Sequence, residues 1–293
     1  MAPTAERRTT RIGVVAVLAA TLTWSFGGVF ARYVGAPGLV ITFWRMLLGT
    51  ALFNALLGLT ARRVPTWREL RLGVPGGVLF GLNLALFFSA VQHTSIANAA
   101  IIGTLTPVVV LPIAVRFMGE QLTAIRVVCA LVAVGGVVAS VLVSGGTEGQ
   151  ATRYGDLLAV GSLLVWLAYF LLTKWVRSQI DTLAYLSSTT LVGSVVTGIA
   201  AVLSGQDMGA IDGAGWWWLV ALTVGPGMIG HGLMTWAQPS VDAAVSSVLI
   251  QGEPVGATIA AAVFLDETVS VAQAVIMAVV IAALAVLAAQ SVR

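Results

Sequence analysis

The chain has 293 residues, of which 58% are hydrophobic and 9% charged, whereas a soluble domain carries about 25% charged residues. With a mean hydropathy of +0.98 there is too little charge to cover a soluble surface, and disorder, which needs low hydrophobicity and high charge, is excluded. The net charge of +3 comes without a basic stripe or recognition motif, so membrane lipid is the expected surrounding and nucleic acid is not an expected partner.

Taken in order, ten apolar segments run over 12–33, 37–60, 71–92, 95–117, 122–143, 155–176, 181–203, 216–237, 241–264 and 269–290. Each has the roughly 20 residues that a bilayer-crossing helix needs. Short breaks rich in Gly, Pro and charge separate them, and none is long enough to hold a soluble domain. Continuous rather than alternating apolar character excludes a β-barrel. The first segment is read as a span, since it is longer than a signal-peptide core and carries Trp24 and Arg32 where cleavage would fall. The fold class is therefore an all-α membrane protein of ten transmembrane helices. Its one cysteine, Cys129, lies in an apolar run and reads as a small buried residue.

The basic residues report orientation. Arg7, Arg8, Arg11, Arg62, Arg63, Arg68, Arg71, Arg116, Arg126, Lys174, Arg177 and Arg293 fall on the side of the termini. Arg32 and Arg153 fall opposite, and Arg45 lies inside a span. This bias puts both termini in the cytoplasm.

The chain also repeats. Leu22-Thr-Trp24 matches Leu164-Val-Trp166 and Arg32-Tyr33 matches Lys174-Trp175, at an offset of 142. Thr106-Pro107 then matches Glu253-Pro254, and Gly119-Glu120 matches Asp266-Glu267, at an offset of 147. Two halves follow, 12–143 and 155–290, each of five spans. Five is odd, so the second half enters the membrane inverted relative to the first. Inverted repeats are a transporter signature and place a site near the midplane between them.

These residues resemble the EamA-type family of the drug/metabolite transporter superfamily, over about residues 12–290. The most specific piece is Leu249-Ile-Gln-Gly-Glu253-Pro254 followed by Phe264-Leu-Asp-Glu267. The first half keeps Pro107 and Glu120 but has Thr106 in place of the Glu. The resemblance implies a carrier of small metabolites in a bacterial-type inner membrane, often an exporter of amino acids or related amphipathic compounds, with cytoplasmic ends.

Several residues could carry that work. Glu253 sits mid-span, where an ionisable residue costs about 2.5–3.5 kcal/mol, and is the proton-coupling candidate. Its alternative role is to satisfy carbonyls freed by Pro254. Arg45 is a structural or substrate ion-pair candidate; at roughly 10 and 16 Å from the outer surface, Arg45 and Glu253 could meet if their helices adjoin. Polar groups at depth gather on the third, fourth, eighth and ninth spans as Asn83, Thr104, Thr106, His231 and Gln251, alongside the breakers Pro75, Pro107, Pro112, Pro226 and Pro254. These four spans are expected to surround a cavity lined by Asn83, Thr104, His231 and Gln251. Trp24, Trp166 and Tyr169, in the first span of each half, could line it too, or pack as bulk. Gly73, Gly77 and Gly81 on one face of the third span permit close helix approach. Trp216, Trp217 and Trp218 read as an interfacial belt.

The reading is thus a secondary transporter, not an enzyme, with no catalytic residue, cofactor or metal expected and a small-molecule metabolite as partner. An intramembrane hydrolase is the weaker alternative: Ser89 and His93 are near in sequence but lack a nucleophile elbow. A facilitating channel lacks a charged ring or filter motif. The absence of a P-loop argues against ATP drive by this chain. Nothing in the sequence specifies an oligomeric state.

Overall fold

The computed structural model describes residues 4–93, 101–143, 152–266 and 268–291. The 144–150 loop and Glu267 lie outside them. The described residues form helices and no strand, as lipid requires, because each backbone N–H and C=O must find its partner within the span. Among the described residues nine segments are long and apolar enough to cross a membrane. The remaining one, Gly215–Ala237, is interrupted by a wider helical turn over Thr223–Gly230 and completes the ten.

Local signals explain where helices begin. The third span starts at Trp67, ahead of the apolar run, because Thr66 and Glu69 form a capping box. The Thr66 N–H donates to Glu69 Oε2 at 2.7 Å, and the Glu69 N–H donates to Thr66 Oγ1 at 3.3 Å. Thr152 Oγ1 and Asp181 Oδ1 accept from the N–H of Gly155 and Ala184 at the heads of the sixth and seventh spans. Gly119, with φ of 69°, turns the chain after the fourth span and delivers Glu120 to its partners.

The spans pair in a self-consistent way. The third lies along the sixth and seventh, and the eighth along the first and second. The second faces the seventh, the fourth the ninth, and the fifth the tenth. Exchanging the halves maps this set onto itself, as a two-fold relation between inverted repeats demands. The third–seventh seam is close along several turns. A Cβ on Gly73, Gly77 or Gly81 would lie 2.3, 2.5 or 2.7 Å from Ser188, Val192 or Val196. Small residues let the backbones meet where lipid offers no hydrophobic drive for association. The aromatic belt caps the start of the eighth span: Trp218 stacks on Tyr33 at 4.6 Å, Trp216 meets Trp44 edge-on at 5.3 Å, and Trp217 is exposed.

Candidate functional site

Broken helices define the centre of the molecule. The first span stops at Trp24 and restarts at Gly27. The fourth breaks at Thr104 and Leu105, and the ninth at Ile250 and Gln251, each just before a proline. Proline supplies no N–H and crowds the preceding turn, so a helix yields there. The eighth span, with Pro226 inside it, widens over Thr223–Gly230, a local form that often marks functional positions. The first, eighth and ninth spans approach at backbone distance. A Cβ on Gly230 would lie 2.5 Å from Trp24 Nε1, and one on Gly256 would lie 2.1 Å from Ser25 Oγ. Ser25 Oγ donates to the Glu253 carbonyl at 3.3 Å, and Trp24 Nε1 donates to the Pro226 carbonyl at 3.0 Å.

Around this point five rings close a loop. Trp24 contacts His231 at 4.7 Å and His231 meets Phe80 at 4.9 Å. Phe80 stacks on Tyr169 at 4.8 Å, Tyr169 reaches Trp166 at 5.6 Å, and Trp166 returns edge-on to Trp24 at 6.4 Å. Offset and edge-to-face arrangements are the favourable ones for aromatic quadrupoles. The loop draws on the first, third, sixth and eighth spans, so both halves contribute. Trp24 and Trp166, paired by the internal repeat, touch each other at its closure.

Beside the loop lies a small pocket between the second, third, seventh and eighth spans. Arg45, Met46, Phe53, Phe80, Thr189 and His231 are among its walls. Arg45 is half-buried and makes no hydrogen bond or ion-pair contact among the described residues. Its field acts on both His231 and Glu253. Glu253 begins the second piece of the ninth span, in electrostatic reach of Arg45 but outside salt-bridge distance. The second and ninth spans do not run along each other. Among the described residues no group of three His, Cys, Asp or Glu could hold a metal.

Thus Trp24, Trp166, Tyr169, His231 and Arg45 come together, with Glu253 nearby. The other candidates lie elsewhere. Asn83 is buried, and its Nδ2 donates to the Ser162 carbonyl and Oγ at 3.0 and 2.9 Å, while Ser162 Oγ donates back to the Asn83 carbonyl. That reciprocal clamp joins the third and sixth spans. Thr104 Oγ1 donates to the Ile101 carbonyl at 2.7 Å, and Thr106 Oγ1 to that of Gly103 at 2.8 Å. Gln251 is buried at the ninth-span break. None of Asn83, Thr104 or Gln251 lines the cavity. Of the wall residues only Arg45 and His231 were singled out from the sequence; Phe80 and Thr189 are among those that were not. The repeat held one clue, because its offset of 147 sets Phe80 opposite Gly227, which lines the same cavity.

Among the described residues three ion pairs tie the halves together, all at helix ends and loops on the side of the termini. The guanidinium of Arg63 bonds Asp181 and also holds Glu69 at 2.7 Å; the Glu69 carboxylate raises the Arg63 pKa above its ordinary value. Arg126 pairs with Asp242 at 2.7 Å. Glu120 accepts from the N–H groups of Ala243 and Ala244 at 2.7 and 2.9 Å and pairs with Lys174 at 3.3 Å. A carboxylate at the head of the ninth span meets both its free N–H groups and its positive dipole end. The side chain of Arg177 donates to the Thr235 carbonyl at 3.2 Å, and burial lowers its pKa.

Comparison with known proteins gives consistent results. The sequence model of the EamA-like transporter family matches residues 11–142 and 153–289. A protein of Escherichia coli (strain K12), named as the uncharacterized inner membrane transporter YhbE, is 28% identical over 222 residues, 70% of this chain and 67% of that one. An uncharacterized transporter of Archaeoglobus fulgidus is 26% identical over 275 residues, 94% of this chain and 96% of its own. A crystal structure of a protein at 24% identity matches the fold with a TM-score of 0.81, covering 94% of this chain and 95% of the other.

Proposed function

The chain belongs to the EamA-like transporter family, and on that premise we propose that it is a secondary transporter of small amphipathic metabolites, an exporter of amino acids or related compounds, working by alternating access. The observation that carries this reading is the cavity between spans of both halves, holding an uncommitted Arg45 and His231 next to three broken helices. Non-helical backbone at membrane depth is tolerated where it is buried in protein or lines a cavity, and carriers use such breaks at their sites. The halves, 12–143 and 155–290, exchange conformations. The ion pairs of Arg63, Glu120 and Arg126 seal the terminal side in this conformation. The basic bias supports cytoplasmic termini, and the name of the Escherichia coli relative supports an inner-membrane location.

Glu253 couples transport to the proton gradient in this proposal. Its carboxyl is half-buried, makes no ion-pair contact among the described residues, and has Arg45 as its electrostatic partner. It takes a proton when the cavity is wetted from one side and releases it to the other. The hydrolase alternative finds little support, because the His93 ring meets Ser89 through the carbonyl oxygen, at 2.9 Å.

Reconstitution into proteoliposomes tests the reading. Counterflow of a panel of amino acids, amines and nucleoside-like compounds should reveal a saturable exchange substrate. Flux that never saturates and shows no trans-stimulation would mark a channel instead.

A further inference from the structure

The geometry points to a small carboxylate with an apolar or aromatic body as the ligand of the central cavity, held by Arg45 and not requiring an ammonium group. This rests on the transporter reading and narrows it. Among the described residues Arg45 is the one Arg, Lys, Asp or Glu in the cavity wall. Its guanidinium is committed to no partner among the described residues. A guanidinium offers a planar fork of donors that matches a carboxylate in two parallel hydrogen bonds. A cation drawn out of water without a hydrogen-bonded counter-charge is costly, and an incoming carboxylate lowers that cost.

The rest of the wall describes the ligand's body. Met46, Phe53, Phe80 and Leu186 are apolar. Two of the wall hydroxyls are engaged: Thr190 Oγ1 donates to the Leu186 carbonyl at 2.7 Å and accepts from Thr50 Oγ1 at 2.9 Å, and Thr223 Oγ1 donates to the Leu219 carbonyl at 2.7 Å; Thr189 Oγ1 is buried without a hydrogen-bond partner among the described residues. A primary ammonium would find no carboxylate there and would meet the field of Arg45. The Glu253 carboxyl stands outside the wall. A phosphate would want more than one cation. The chemistry that fits is one anionic carboxylate and one hydrophobic face.

Three compounds sharing one skeleton test this: 3-phenylpropanoate, phenylalanine and phenethylamine carry a carboxylate, both groups, and an ammonium. Equilibrium binding to the detergent-purified full chain is read by calorimetry at neutral pH. The expected order is 3-phenylpropanoate first, phenylalanine weaker, and phenethylamine weaker than 3-phenylpropanoate by about tenfold or more, since charge-assisted bonds to a buried partner are worth at least that factor. Arg45→Gln should abolish 3-phenylpropanoate binding, and Arg45→Lys, which keeps the charge and loses the fork, should weaken it. The order in the unmodified protein needs no variant, so a misfolded Arg45→Gln leaves the test intact. Phenethylamine or phenylalanine binding as tightly as 3-phenylpropanoate, no 3-phenylpropanoate binding at millimolar concentration, or unchanged affinity in folded Arg45→Lys would each overturn the assignment. Because binding is measured without flux, its failure leaves the transport reading to stand or fall on counterflow alone.

Discussion

Two regions of the molecule are built in opposite ways. The third and seventh spans run unbroken beside each other, with glycine at every fourth position and a Cβ's width missing between them. The first, eighth and ninth spans also approach closely, at Gly230 and Gly256, but are interrupted nearby, at 25–26, Thr223–Gly230 and 250–251. Continuous helices packed at backbone distance have one good arrangement. Interrupted helices, held by single bonds such as Trp24 Nε1 to the Pro226 carbonyl, have free backbone groups that can be satisfied in more than one way. The first region is a frame and the second is the part suited to change.

The comparison breaks most easily at the frame. Gly77→Ala combined with Gly81→Ala sets methyl groups against the Thr189 and Gly193 carbonyls as well as Val192 and Val196. Overpacking costs about 1–3 kcal/mol at each site, so this double variant should lose most of its folded yield and thermal stability in detergent. Next comes the link between frame and moving part. Glu120→Ala leaves two N–H groups at the ninth-span head and the Lys174 ammonium without their acceptor. A loss of about 3 kcal/mol is expected, seen as a lowered midpoint of thermal unfolding, with Glu120→Gln falling in between.

Inside the moving part, effects on stability should shrink while effects on flux persist. Trp24→Phe keeps ring contacts but removes the bond to Pro226, worth about 1 kcal/mol, and should slow exchange while leaving the fold intact. Gly28→Ala meets nothing within 4 Å. It should stabilise by about 0.4–1 kcal/mol through the unfolded chain, and exchange measured on the same preparation should slow as the Gly27–Val34 helix stiffens.

Much of the frame was legible in the sequence. The apolar runs mark the spans, Gly73, Gly77 and Gly81 mark the seam, and the repeat brings Trp24 to Trp166. The start of the third span was displaced because the Thr66–Glu69 capping box extends a helix beyond its apolar stretch. The cavity was harder to read. Polar residues and prolines concentrate on the third, fourth, eighth and ninth spans, yet Thr104 and Thr106 spend their hydroxyls on their own helices and Asn83 on Ser162. Sequence density of polar groups marks where backbone bends, and only the packing of helices decides which side chains face open space. Arg45, on an unbroken span, lines the cavity with Phe80 and Thr189 for that reason.

Alternating access through this cavity can be tested with one cysteine. In a Cys129→Ala background, Gly49→Cys puts a thiol in the wall, where a Cβ meets only Thr190 and Thr223 methyl groups at 3.8 and 4.0 Å. Arg126→Cys and Asp242→Cys, joined beforehand by a bis-maleimide, replace one ion pair with a covalent seal on the terminal side. An impermeant thiol reagent is then applied to membrane vesicles of each orientation. Position 49 is expected to label from both faces without the cross-link, and from the opposite face alone once it is in place. Labelling from the terminal side that survives the cross-link, or none from either face, would contradict alternating access through this cavity.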